Sequence, residues 1–198
     1  MLPPGKVESL FKLKKYQNKI GFIIPKFFFF YKKEYSKNKL VLLNKIIKQF
    51  KKKPIIIRSS SNDEDTKTYS NAGKYSSFVV KNYNLINLKY FINQCLLKVK
   101  HKNDKIIIQE YIDKPSIAGV VFTRGINDNS PYYYINFDKS GKTDLITSGK
   151  KNKTLYQIVT SKNYIKNSKF SKLLLIISKI EKLVKNDRLD LEFCIKKF

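Results

Sequence analysis

Two hydrophobic periods alternate along this chain, and that alternation restricts it to a fold mixing helices and strands. Apolar residues three and four apart mark one face of a helix; short apolar runs between turn residues, or strict alternation, mark strands. Helical spacing runs over Lys6–Tyr16, where Val7, Leu10, Phe11 and Lys14 share a face, and over Tyr35–Phe50, with Leu40, Leu43, Ile47 and Phe50 inward. It returns over Leu88–Val99, where Leu88, Phe91, Ile92, Cys95, Leu96 and Val99 form one stripe. A last helix is expected over Ser168–Lys185, with Phe170, Leu173, Leu174, Ile177, Ile180 and Val184 inward. Strands are expected at Phe22–Phe30 (interrupted by Pro25), Pro54–Arg58, Ser76–Lys81, Ile106–Ile112, Ile117–Thr123, Tyr132–Phe137, Thr143–Ile146, Leu155–Val159 and Asp190–Ile195. This order predicts an α+β architecture whose second half is a largely antiparallel sheet. A length of 198 residues accommodates one domain of two lobes, at about 1–103 and 104–198.

Composition narrows the function classes. Apolar residues make up 42% and aromatics 14%, enough to build a core and too many for a disordered chain. The formal net charge of +26 points toward nucleic acid, an anionic membrane surface or acidic metabolites. The excess is nearly all Lys, accompanied by Asn, Ile, Tyr and Phe, a mixture that AT-rich codons produce whatever the function. The most apolar run, Phe22–Phe30, is broken by Pro25 and Lys26 and is too short to cross a bilayer, and the start lacks an apolar signal segment. Cys95 and Cys194 lie in apolar patterns outside any CxxC pair, which argues for two buried thiols, no zinc site and a reducing, cytoplasmic setting.

Three places have the residue types for phosphate chemistry. Arg58 ends an apolar strand and is followed by Ser59, Ser60 and Ser61, so its guanidinium fork and the hydroxyls can meet an oxyanion. An ordinary salt bridge to Asp63, Glu64 or Asp65 explains the same arginine. Ala72-Gly73-Lys74 is a small-residue loop that lets backbone approach a phosphate chain, or a plain turn. Asp190 and Glu192 alternate onto one strand face, as Mg²⁺ ligands or as a solvent-facing edge. The one histidine, His101, sits in a charged turn, which leaves no Ser-His or Cys-His nucleophile.

Taken together, these segments resemble the nucleotide-binding domain of the phosphoenolpyruvate synthase and pyruvate phosphate dikinase family. RSSSNDEDTKTYSNAGKYSSF (58–78) is similar to that family's Arg-Ser-Ser, Glu-Asp and Ser-x-Ala-Gly signature, matched by Arg58, Ser59, Ser60, Glu64, Asp65, Ser70, Ala72, Gly73 and Ser77. IIIQEYID (106–113) resembles its adenine-binding hinge strand, AGVVFTR (118–124) the strand after it, and DLEF (190–193) its metal-site strand. GKVESLFKL (5–13) resembles its opening helix, with Lys6 as the phosphate-reaching lysine. The five segments fall in the family's order and span essentially the whole chain. PYYYINFDKSGKTDLITSG (131–149) looks closest to the branch that includes L-glutamine kinase.

The resemblance implies an ATP-grasp fold with ATP held between two lobes. Lys6 and Arg58 would hold phosphates and act catalytically, helped by Ser59 and the Gly73 loop. Backbone at Gln109, Glu110, Tyr111 and Ile112 would take the adenine, and Glu192 with Asp190 would hold Mg²⁺. Phosphoryl transfer needs these parts because it rests on positioning and charge neutralisation. The family's next strand, Gln-x-Arg, and its phospho-histidine domain have no counterpart here. The implied partners are therefore ATP and a histidine domain on a separate chain, with the final acceptor unspecified. Two rivals follow: an inactive remnant or partner-dependent subunit, and a basic nucleic-acid-binding module, which no recognisable motif supports.

Overall fold

The computed structural model describes residues 5–60, 77–138, 155–162 and 170–196. It is an α+β protein built on two four-stranded antiparallel sheets, and it divides into two compact units. The first unit comprises Pro3–Lys14 and Ile24–Ile112; the second gathers Lys15–Ile23 and Asp113–Phe198.

Helix α1 (Lys6–Ile20) opens the chain and runs four residues past the expected end. Gly21 stops it at φ +93, with its N–H bonded to Gln17 O at 2.9 Å, a left-handed cap that glycine adopts without strain. Strand β1 (Phe27–Tyr31) begins only after Pro25, whose missing N–H keeps the preceding apolar residues out of the ladder. Helix α2 (Lys32–Phe50) follows directly, and Glu34 bonds back to the Tyr31 amide at 2.7 Å. Its inward face is Leu43, Ile46 and Phe50, whereas Leu40, expected in the core, is 67% exposed. At 100° per residue Leu40 falls about 90° from the centre of that stripe, close to a kink at Asn38.

Strands β2 (Ile55–Ser60) and β3 (Ser77–Val80), helix α3 (Leu85–Leu96) and strand β4 (Lys105–Glu110) complete the first unit, with sheet order β1-β4-β2-β3. Asn84 caps α3 by accepting from the Ile86 and Asn87 amides. One sheet face presents Phe30, Ile55, Ile57, Ile106 and Ile108 to Leu43, Ile46, Phe50, Leu88, Ile92 and Cys95 of α2 and α3. The opposite face carries the first turns of α1. Phe11 meets Phe27 and Phe29 edge-on at 4.9 and 5.9 Å. The expected lobe boundary near residue 103 is corrected here. β4 lies inside the first sheet between β1 and β2, so the break follows Ile112. A strand flanked on both sides and buried on both faces needs the continuous apolar run that Ile106–Ile108 supplies.

The second unit holds β5 (Ile117–Phe122), β6 (Tyr132–Asp138), β7 (Leu155–Ser161), α4 (Ser171–Val184) and β8 (Asp190–Ile195), in the order β7-β6-β5-β8. Phe170, Leu174 and Ile177 pack on Ile117, Val121, Tyr133, Ile135 and Phe137, as the helical spacing predicts. The strand expected at 143–146 lies outside the described residues. Among the described residues, no helix is long and apolar enough to cross a membrane.

The two thiols differ, against the expectation that both are buried. Cys95 is fully buried against Ile57 O, and burial pushes its thiol up to about 12. Cys194 shares the exposed face of β8 with Asp190 and Glu192, because strand side chains alternate. An aromatic disulfide reagent near pH 8 is therefore expected to modify one thiol quickly and the other only after denaturation. Cys194→Ala should remove the fast phase; a native Cys194→Ala protein that still reacts quickly would contradict this assignment.

Candidate functional site

Arg58 is half-buried on β2, and the register defines its neighbours. Arg58 pairs with Ile107 and Ser77, Ser60 with Lys105, Ile56 with Gln109, and Tyr31 with Lys105. Directly paired residues share a sheet face. Arg58, Ser60, Lys105, Gln109 and Tyr31 therefore lie together, on the face that α1 crosses. Ser59 pairs with Ile106 and is 1% exposed, so its side chain points into the α2–α3 core, away from Arg58. Ser60 is the hydroxyl on the same face as the guanidinium.

Lys6 begins α1 and is exposed. Two residues later, in the same first turn, Glu8 forms an ion pair with Lys105 that ties the start of α1 to this face. The Lys105 side chain is 9% exposed and its ammonium also lies 5.6 Å from the Tyr31 ring centre. Gly5 makes the approach possible. Its φ is +104, and a Cβ there would lie 2.6 Å from Glu8 Oε2. Sequence reasoning missed Glu8 and Lys105. Lys105 reads as the end of a charged link, and only strand register places it diagonally beside Arg58.

At the end of β4 the Glu110 amide donates to Lys26 O at 2.8 Å and the Tyr111 amide to Pro54 O at 2.9 Å. The Glu110 carboxylate takes Lys53 at 2.9 Å on the opposite face from Gln109. Of the three residues after Gln109, Ile112 alone has an amide with no partner among the described residues. Gly73, Glu64, Asp65, Ser70 and Ala72 lie outside the described residues.

In the second unit Asp190 and Glu192 point to the exposed face of β8, and Leu191 and Phe193 turn toward α4. Glu192 pairs with Val120, which in turn pairs with Asn136, whose side chain accepts from Gln157 at 2.9 Å. Asp138, fully buried, shares that face. Among the described residues no three His, Cys, Asp or Glu side chains gather as a metal site. Two carboxylates match what Mg²⁺ takes from protein when phosphates supply further ligands.

A separate open cleft of about 500 Å³ lies on the α4 side of the same sheet, beside Tyr133, Lys162, Glu181, Lys182 and Lys185. There Glu181 accepts from Tyr133 Oη and Lys162 Nζ, each at 2.5 Å. Burial first, and then the Glu181 bond, holds the Tyr133 hydroxyl well above its ordinary pKa. Arg124 binds Asp187 through Nε at 2.7 Å, and that bond keeps the Asp187 carboxyl below its ordinary range. In comparisons with known proteins, no family model and no curated protein matches this chain.

Proposed function

We propose that this chain is a MgATP-binding domain of ATP-grasp type, serving a phosphotransferase similar to phosphoenolpyruvate synthase and pyruvate phosphate dikinase. In this reading Arg58 and Lys6 bind phosphates, the Gln109–Ile112 segment receives adenine through the Ile112 amide, and Glu192 with Asp190 binds Mg²⁺. The phosphoryl group passes to a histidine on a separate domain or chain. The observation that carries it is the seating of the first turn of α1 on the Arg58 face of sheet β1-β4-β2-β3, through Glu8 and Lys105. Arg58 and Lys105, on neighbouring strands, share one cationic face with a hydroxyl at Ser60. Such a surface suits a polyphosphate, for which Arg gives forked donors and Lys point charges.

Calorimetric titration with MgATP at about 0.15 M salt tests the reading, because general charge attraction is then screened beyond about 8 Å. The wild type is expected to bind saturably. Arg58→Ala should weaken binding about a hundredfold, the loss of a charge-assisted bond worth roughly 2–3 kcal/mol. Glu192→Ala should weaken MgATP more than metal-free ATP. Absence of binding by the wild type would reject the nucleotide site. Binding that falls steeply with salt and ignores both substitutions would instead indicate a general polyanion surface.

A further inference from the structure

Glu8 is an unusual residue to find on a surface for phosphates. One carboxylate oxygen pairs with Lys105; the other, Oε2, is shielded from solvent, packs against Gly5 and has no hydrogen-bond partner among the described residues. A buried carboxylate oxygen without a donor costs about 1–3 kcal/mol, so this arrangement is poor as a purely structural bond. The Lys105 ammonium is the group compensated by it. That ammonium borders an open cleft of about 330 Å³ lined by Tyr31, Lys33 and Asn103. Lys33 Nζ lies 5.4 Å from the centre of the same Tyr31 ring and donates to Asn103 Oδ1 at 3.0 Å. Two lysines thus converge on Tyr31 in a polar cleft, diagonal to Arg58, and one of them is neutralised from within the chain.

We propose that Lys105, with Lys33, forms a phosphate subsite next to Arg58, and that Glu8 is an internal anion seated in it which a polyphosphate ligand must displace. The inference rests on the nucleotide-binding reading above and adds a subsite and a built-in competitor to it. Displacement is feasible because Glu8 sits in the first turn of α1 and its side chain is 35% exposed, so a change of rotamer returns the carboxylate to water. The ligand then supplies Lys105 with the oxygens that Glu8 provided. No bond is made or broken beyond hydrogen bonds and ion pairs.

The test titrates wild type, Glu8→Gln and Lys105→Met with MgATP and, separately, with inorganic triphosphate, and records the thermal midpoint of each protein. Glu8→Gln keeps the shape and removes the competing charge. It is expected to tighten both ligands roughly tenfold, since the ligand no longer has to displace a carboxylate that competes for Lys105 and repels phosphate. Lys105→Met should weaken both about tenfold or more. A pair that only fastens α1 would behave otherwise: Glu8→Gln would leave affinity unchanged or reduced while lowering the midpoint. That result, in a wild type that binds MgATP through Arg58, overturns the internal-anion proposal and leaves the nucleotide reading intact. Failure of wild type and Glu8→Gln alike to bind either ligand overturns both. Binding by Glu8→Gln alone supports both, with Glu8 as a complete block.

Discussion

Glu181→Ala is expected to lower the stability of the second unit by about 2–3 kcal/mol. The Glu181 side chain is 11% exposed and is the acceptor for both the Tyr133 hydroxyl and the Lys162 ammonium. Its removal leaves the buried Tyr133 O–H without its Glu181 acceptor and strands a largely buried charge, and each loss costs more than the net worth of the bond it made. The figure stays below that of a fully buried pair because Lys162 is 25% exposed. Glu181→Gln keeps an acceptor for one partner and should lose about half as much. Urea unfolding is the direct measurement, with the midpoint falling and the slope unchanged. A midpoint indistinguishable from wild type would show that the three groups do not act together.

The same cluster sets a pH dependence. Tyr133 is held neutral in the fold, its pKa raised above the ordinary 10.0 by burial and then by Glu181. Burial raises Tyr35 to about 12 as well. Above pH 10 the unfolded chain releases these protons before the folded chain does. The stability they contribute is therefore intact below about 10 and is lost as pH rises toward 12 and beyond. Tyrosinate absorbance should lag in the native protein and appear together with unfolding. Smooth titration of every tyrosine near 10 in a still-folded protein would exclude the buried hydroxyls.

Gly119→Val is the second large effect, and it should prevent the second sheet from closing as it does here. Gly119 lies in β5 opposite Phe193 of β8 and Phe137 of β6. A Cβ at this position would meet the Phe193 ring at 2.5 Å and the Asn136 carbonyl at 2.6 Å. The ring lies over the glycine, with Phe170 at 6.3 Å, and Phe170 meets Phe137 at 4.9 Å, so the collision falls on the aromatic centre of the unit. Overpacking costs about 1–3 kcal/mol when side chains can yield. Here one obstacle is backbone, and the expected loss is about 3 kcal/mol or more, or roughly 6–12 °C in the melting temperature of a chain this long. Adding Phe193→Ala should recover the part due to the ring and not the part due to the carbonyl. Fully additive losses in the double variant would mean that ring and glycine do not meet. A native-like melting temperature for Gly119→Val would disprove the close approach.

Local spacing was sufficient for the helical stripe of α3 and the alternation of β8. Helix α4 could be read the same way, with Phe170, Leu174, Ile177 and Val184 inward. Each of these signals is complete within its own element, because helix and strand periods are properties of neighbouring positions. Pro25 and Gly21 likewise act through their own backbone, and they mark where β1 starts and α1 stops. Arg58 stood out for the same reason, as a charge ending an apolar strand.

Tertiary structure decided everything that depends on which strands become neighbours. β4 joined the first sheet, against its position in the chain, and that moved the boundary from about 103 to the residue after Ile112. The extension of β2 to Ser60 let strand alternation turn Ser59 into the core and set Ser60 on the Arg58 face, and register put Lys105 within reach of Glu8, ninety-seven residues earlier. Nothing in the local sequence of Lys105 or Glu8 encodes that meeting. It arises when the two antiparallel pairings of β4 fix which side chains share a face, and when α1 crosses that face rather than the other. The periodic pattern specifies which residues need cover; only the assembled sheet specifies which charges they bring together.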